Sequence, residues 1–323
     1  MKILIILPNW LGDAVMATPA IELLAQHYPN ARFTFLGSYV SIEALKHHPL
    51  CEKAIVDETK KASSRLMATY KLAKELGEFS LAVSFRNQVH STLLLRFTKT
   101  VLCIARASWH SKLLLSHTPT IKTNKHLVEQ YSELAMINSD SFKGESPALK
   151  LYIQAKSFTK PTLGINAGAT YGSAKRWYPE RFAEVGAAFS NEYDIIIFGG
   201  PNEVAMAQEI EENLQKLGVS NFTNLAGKTD IQDLCANIAG CTLFVTNDSG
   251  PMHVAAAYQV PTVAIFGPTR YKETSQWKNK KSALVRKEMD CSPCMKRECP
   301  LGHHECMKTI SAKEVIKALK TLL

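Results

Sequence analysis

The stretch Thr246-Asn247-Asp248-Ser249-Gly250-Pro251-Met252-His253 closes an apolar run and leads straight into a helical pattern, a corner that suits an anion. Backbone N–H groups and the helix dipole favour phosphate at a helix start. Gly250 lets the backbone approach it, and Ser249 adds a hydroxyl donor. The same residues suit a plain helix cap by Asp248 or Ser249. A second corner, Gly168-Ala169-Thr170-Tyr171-Gly172-Ser173-Ala174-Lys175-Arg176-Trp177, sets small residues before two cations. Lys175 would act as a mobile point charge and Arg176 as a planar fork toward a diphosphate, the alternative being an ordinary basic surface. In Phe198-Gly199-Gly200-Pro201-Asn202-Glu203, the carboxylate of Glu203 could accept hydrogen bonds from ribose hydroxyls or complement a helix N-terminus. Near the start of the chain, Asn9-Trp10-Leu11-Gly12-Asp13 follows a buried strand pattern. A carboxylate at that position could take the proton of a hydroxyl nucleophile or merely cap a helix.

Two patterns fail to appear. The loop at 168–177 is not the phosphate loop of the NTPases, and no Gly-x-Gly-x-x-Gly follows a strand, which argues against a dinucleotide-dependent dehydrogenase. A separate cluster sets Cys291, Cys294, Cys299 and Cys306 with His303 and His304 within sixteen residues. That spacing could hold a structural zinc ion, although the pairs differ from a repeated C-x-x-C ribbon and free or disulfide-capable thiols are the alternative.

These corners need elements to position them, and hydrophobic periodicity supplies a regular alternation. Strands are predicted at 2–7, 32–36, 54–56 and 81–85, with helices at 13–27, 41–46 and 63–76. After a polar crossover at 138–160, strands recur at 162–166, 194–198, 222–225, 242–246 and 262–266, with helices at 179–189, 202–217, 231–239 and 252–258. A last helical pattern spans 312–323. Such alternation implies two doubly wound α/β halves, Rossmann-like and mostly parallel, with a boundary near residue 155. Open parallel sheets bind ligands at the carboxyl ends of their strands, so a cleft faced by both sets of strand ends is the expected place for chemistry.

At 323 residues, two domains of ordinary size are the natural division. The composition, 46% hydrophobic and 21% charged, is that of a globular enzyme. The apolar run at the N-terminus is too short for a signal peptide or a membrane span. Eight cysteines in such a chain make no disulfide scaffold, so the cytoplasm is the expected compartment. The net charge of +9 favours anionic partners without choosing among them. A nucleic-acid-binding role would need a basic stripe interleaved with aromatics or a known motif, and neither is evident.

Taken in order, Gly12-Asp13, Gly168 to Trp177, Leu225-Ala226-Gly227-Lys228-Thr229, and Thr246 to Ala257 followed by Phe266-Gly267-Pro268-Thr269 resemble the heptosyltransferases of glycosyltransferase family 9 over nearly the whole chain. The resemblance implies a GT-B fold, with residues 1–155 binding an inner-core lipopolysaccharide acceptor and residues 156–323 binding ADP-heptose. It implies inversion at the anomeric carbon with Asp13 as the base. Thr170, Lys175, Glu203, Asp248, Ser249, Gly250 and His253 would surround the donor, and adenine would lie near Leu225, Ala226 and Gly227. Gly12, Arg86 and His90 are candidates for the acceptor, with Arg106 and Lys112 as looser ones. The acceptor heptose would be the first of the inner core. Backbone amides and Lys175 would neutralise the leaving ADP without a protein-bound metal, though free magnesium could assist. The enzyme would work in the cytoplasm, peripheral to the inner membrane that carries its lipid-linked acceptor. The alternatives are a transferase of the same architecture with another acceptor or nucleotide sugar, or a sugar-nucleotide isomerase that needs no acceptor.

Overall fold

A computed structural model describes residues 1–115, 117–139, 142 and 144–323. Residues 140, 141 and 143 of the expected crossover lie outside the described set. The chain divides into two compact units, residues 1–152 and 153–323.

The first unit runs β1 (Lys2–Ile6), α1 (Leu11–Met16), α2 (Thr18–His27), β2 (Arg32–Gly37), α3 (Tyr39–Leu45), β3 (Cys51–Val56), α4 (Arg65–Leu76), β4 (Leu81–Ser84), α5 (Val89–Phe97), β5 (Leu102–Ala105), α6 (Trp109–Leu114) and α7 (Leu127–Ala135). Its strands form one parallel sheet in the order β3-β2-β1-β4-β5. Residues Ile3 to Ile6 of β1 are buried on both faces, as a central parallel strand requires.

The single helix expected over 13–27 is two helices, and the cause is Pro19. Its nitrogen has no proton to give the carbonyl of Val15, so the ladder breaks there. The hydroxyl of Thr18 donates to that carbonyl instead, at 2.7 Å. The helix also starts earlier than expected, with Trp10 in the cap position. Asp13 therefore sits inside the first turn of α1 and is not its cap.

The second unit runs β6 (Thr162–Asn166), α8 (Pro179–Phe189), β7 (Asp194–Phe198), α9 (Val204–Lys216), β8 (Phe222–Asn224), α10 (Ile231–Gly240), β9 (Leu243–Asn247), α11 (Gly250–Ala257), β10 (Thr262–Phe266), α12 (Tyr271–Thr274), β11 (Ser282–Arg286), α13 (Glu305–Lys308) and α14 (Ala312–Lys320). Its parallel sheet has the order β11-β10-β9-β6-β7-β8. Trp177, Phe182, Ile165, Ile195, Val245 and Ile265 fill its core with Val315 and Leu319 from α14. Ser311 and Glu314 start α14 with a capping box, so the last helix belongs to this core.

Both sheets reverse their strand order next to the central strand. The reversal lies between β1 and β4 in the first unit and between β6 and β9 in the second. Diverging connections open a crevice at such a point, beyond the carboxyl ends of the strands.

Candidate functional site

In the second unit the crevice is built from the ends of β6 and β9, where Asn166 pairs in register with Thr246. The amide nitrogen of Asn166 lies 3.2 Å from Ser249 Oγ, 3.3 Å from the Gly168 carbonyl and 3.4 Å from Thr246 Oγ1. Asn247 accepts from the Trp177 backbone N–H at 3.1 Å and donates to the Ala167 carbonyl. These two buried asparagines bind the loop after β6 to the loop after β9. Asn247 stands in the stretch Thr246 to His253, but the sequence suggested no role for it or for Asn166, because nothing local distinguishes a strand-end asparagine that reaches a neighbouring loop.

On this floor Lys175 Nζ lies 2.6 Å from Asp248 Oδ2. The same carboxylate oxygen accepts from Thr269 Oγ1 at 2.6 Å. Lys175 also lies 4.8 Å above the Tyr171 ring. Asp248 is thus buried and paired, and neither it nor Ser249 caps α11. Ser249 occupies the cap position, but its hydroxyl makes no cap bond and instead lies beside Asn166 and Thr246. The start of α11 is left to its own backbone, with Pro251 contributing no N–H. His253 is buried in α11, Gly250 is half-buried, and Thr170 is exposed.

Glu203 ends a 3-10 turn, Pro201–Glu203, and accepts from the Gly200 N–H at 2.8 Å. Its carboxylate lies directly on Gly168, where a Cβ would fall 2.0 Å from Glu203 Cδ. Glu203 therefore does complement a helical N-terminus, and it does so beside the first phosphate-type loop.

The cysteine segment braces that same loop. Tyr171 donates to the Met295 carbonyl at 2.8 Å, Ala174 N–H to the Arg297 carbonyl at 3.0 Å, and His304 Nε2 lies 2.9 Å from the Ala174 carbonyl. A Cβ on Gly172 would fall 2.2 Å from the Arg297 carbonyl oxygen, so only glycine permits this approach. Cys291, Cys294, Cys299 and Cys306 are free thiols lining one small cavity. Among the described residues, no three or more His, Cys, Asp or Glu side chains are drawn together tightly enough to form a metal-holding group. Burial, and then the neighbouring Cys291, Cys294 and Cys299 thiols, push the Cys306 thiol up to about 11. Backbone N–H groups around residues 301–304 hold the Cys299 thiol below its ordinary value.

In the first unit the crevice between β1 and β4 carries the loop from Leu7 to Trp10, which leads into α1 and Asp13. Three side chains hold its carbonyls. Arg86 Nε donates to Leu7 O at 2.6 Å, Ser38 Oγ to Asn9 O at 2.8 Å, and Ser41 Oγ to Pro8 O. Asp13 and Gly12 are half-buried in α1. The Tyr131 phenol is pushed well above its ordinary value by burial and then by the Asp13 charge, with Arg106 opposing, so Asp13 shares an electrostatic neighbourhood with both.

Arg86 and His90, expected to grip an acceptor, lie instead in a buried cluster around Asp57. Arg86 Nη1 is 2.9 Å and His90 Nε2 3.1 Å from Asp57 Oδ2, and all three side chains are less than one-tenth exposed. Thr59 and Thr69 take up the two His90 ring nitrogens at 3.2 and 3.0 Å. Burial works against ionisation of Asp57. Hydrogen bonds from His90 and Thr59 and the charges of His90 and Arg86 nevertheless hold its carboxyl well below the usual carboxylate range. Burial lowers the Arg86 value and Asp57 opposes this. The physical reason for the different role is position: both residues follow the end of β4 and point to the end of β3, into protein. Only Arg86 Nη2, buried and without a hydrogen-bond partner, is left over. Arg106 is tied to Gln130 and the Ile121 carbonyl, and Lys112 is exposed on α6.

A family model described as "Glycosyltransferase family 9 (heptosyltransferase)" matches residues 69–305. The lipooligosaccharide heptosyltransferase 2 of Campylobacter jejuni serotype O:2 is 41% identical, the match covering 100% of this chain and 98% of the relative. The lipopolysaccharide heptosyltransferase 2 of Escherichia coli K12 is 27% identical over 100% of this chain and 99% of its own length. Among solved structures, that of E. coli ADP-heptose lps heptosyltransferase II superposes with a TM-score of 0.84 at 26% identity, covering 100% of this chain and 98% of the other.

Proposed function

The chain belongs to glycosyltransferase family 9, and from that premise we propose that it moves heptose from ADP-heptose to the first heptose of the lipopolysaccharide or lipooligosaccharide inner core. It is a heptosyltransferase acting on that core, as its full-length likeness to heptosyltransferase 2 proteins supports. The donor, the particular acceptor heptose, work at the membrane surface and the residue roles are our reading. No helix of the described residues is long and apolar enough to cross a membrane.

The reaction is a single displacement. The acceptor hydroxyl loses its proton to Asp13 as its oxygen attacks the anomeric carbon. The bond from that carbon to the β-phosphate oxygen breaks, ADP leaves with the electron pair, and the configuration inverts. Charge on the departing diphosphate is met by Lys175 and by backbone N–H groups at the start of α11, donors already fixed before reaction. Asp248 and Thr269 hold Lys175 in place, Ser249 and Gly250 line the phosphate corner, and Glu203 takes the ribose. The observation that supports this reading is that Lys175, Asp248, Ser249 and Asn166 come together at the β6/β9 reversal.

The test is ADP release from ADP-heptose with a heptose-bearing inner-core acceptor. Release should require the acceptor and should fail with an acceptor lacking the first heptose. Asp13→Ala should lower kcat by about 10²- to 10⁴-fold, the usual worth of a general base, while ADP-heptose still binds. ADP release without acceptor, or undiminished in Asp13→Ala, would contradict the mechanism.

A further inference from the structure

The helices α4, α5 and α6 pack side by side as one layer on the sheet of the first unit. Leu72 and Leu76 of α4 and Leu94 and Leu95 of α5 turn inward to its core. The outward face is unusual. Trp109 and Leu113 of α6, one helical turn apart, are 76% and 77% exposed, and Leu66, Met67 and Tyr70 of α4 are between 42% and 59% exposed. Large apolar side chains this exposed, at two places on the outer helices of one layer, mark an interaction surface rather than chance.

The charges around them have one dominant sign. Arg65, Lys71 and Lys74 of α4, Arg96 of α5, Lys99 just after it and Lys112 of α6 are exposed, with Glu75 and Glu78 the only exposed acids between residues 65 and 113. Lys74 lies over the Tyr70 ring at 5.4 Å, so the two kinds of side chain are interleaved. An indole and aliphatic side chains flanked by lysine and arginine fit the boundary of an anionic bilayer: the rings and chains enter the headgroup region and the cations meet its negative surface potential. A protein partner of mainly apolar character would leave these cations unpaired, which favours lipid as the occupant.

We propose that the α4–α6 face docks the enzyme on an anionic lipid surface and so delivers the first unit to a lipid-linked acceptor. The proposal rests on the acceptor assigned above, but the face can be tested without it. Purified full-length protein is sedimented with vesicles of phosphatidylcholine alone or mixed with phosphatidylglycerol. The wild type should bind the anionic vesicles, less so in high salt, and bind the neutral ones far less. Trp109→Ser/Leu113→Ser and, separately, Lys71→Glu/Lys74→Glu should each lower the partition by about tenfold or more. All four side chains lie on the exposed face, and intact folding is checked by circular dichroism. ADP release with a delipidated, water-soluble acceptor should stay within about twofold of wild type in both variants, while release with the acceptor embedded in anionic vesicles falls.

Wild type that ignores anionic vesicles, or variants that bind them as well as wild type, would overturn the proposal. So would a wild type that self-associates through this face and becomes monomeric on Trp109→Ser/Leu113→Ser, which would make it a contact between copies. Failure of wild type to release ADP with the soluble acceptor would instead sink the functional reading and leave the vesicle result standing.

Discussion

Gly168 shows how one atom can decide whether a site exists. Its missing Cβ is the space in which the Glu203 carboxylate rests, and that carboxylate is held there by the Gly200 N–H. The side chain could swing away from an added methyl group, but only by giving up this bond and its place beside the donor loop. Gly168→Ala should therefore raise the KM for ADP-heptose by about tenfold with kcat less affected, the pattern of lost uniform binding. Glu203→Ala should do much the same, and the two substitutions combined should cost little more than either, because both remove the same placed carboxylate. Steady-state kinetics on the three variants decide it, and full additivity would mean that Gly168 acts without Glu203. Gly168 and Glu203 were both visible in the sequence as loop residues of the right types. Their mutual contact was not, since thirty-five positions separate them.

Among elements, the regular alternation was legible because buried parallel strands and amphipathic helices write their period directly into the chain. β6, α8, β7 and β10 lie where the period places them. The reading failed where tertiary structure or single residues override period. It ran α1 and α2 together by passing over Pro19, and it missed β5, four residues long, and β11, a half-buried edge strand. It missed Asp57 as well, because a carboxylate at the end of β3 gains meaning only from Arg86 and His90 after β4. That cluster joins three strand ends, since Arg86 also holds the Leu7 carbonyl beyond β1. The Asp57 carboxyl titrates well below its ordinary value of 3.8, so its stabilising effect is complete above that value and drains away as the pH falls below it. Asp57→Asn leaves the buried Arg86 charge without its partner and should cost about 3–5 kcal/mol at neutral pH. Denaturant titrations at several pH values should find the gap between wild type and variant constant near neutrality and closing in acid. A gap that widened as the pH fell would show that the cluster does not hold Asp57 ionised.

At the scale of the whole molecule, each unit has its own sheet and its own strand reversal. Every part of the proposed donor corner, namely both asparagines of the floor, the Lys175–Asp248 pair, Glu203 and the bracing cysteine segment, lies within residues 153–323. Its core is closed by its own last helix, with Val315 and Leu319 packed in the same cluster as Trp177 and Ile165. Residues 153–323 produced alone should therefore unfold cooperatively and bind ADP, yet release none from ADP-heptose in the presence of acceptor, since Asp13 is missing. At a ligand concentration about a hundred times Kd, ADP should raise the melting midpoint by about 5–10 °C. Ending the same piece at residue 311 removes α14, uncovers the core beneath it, and should abolish both the transition and the shift. A folded 153–323 that ignored ADP would mean that the donor corner needs the first unit to complete it, and the assignment of the donor to one half of the chain would have to be abandoned.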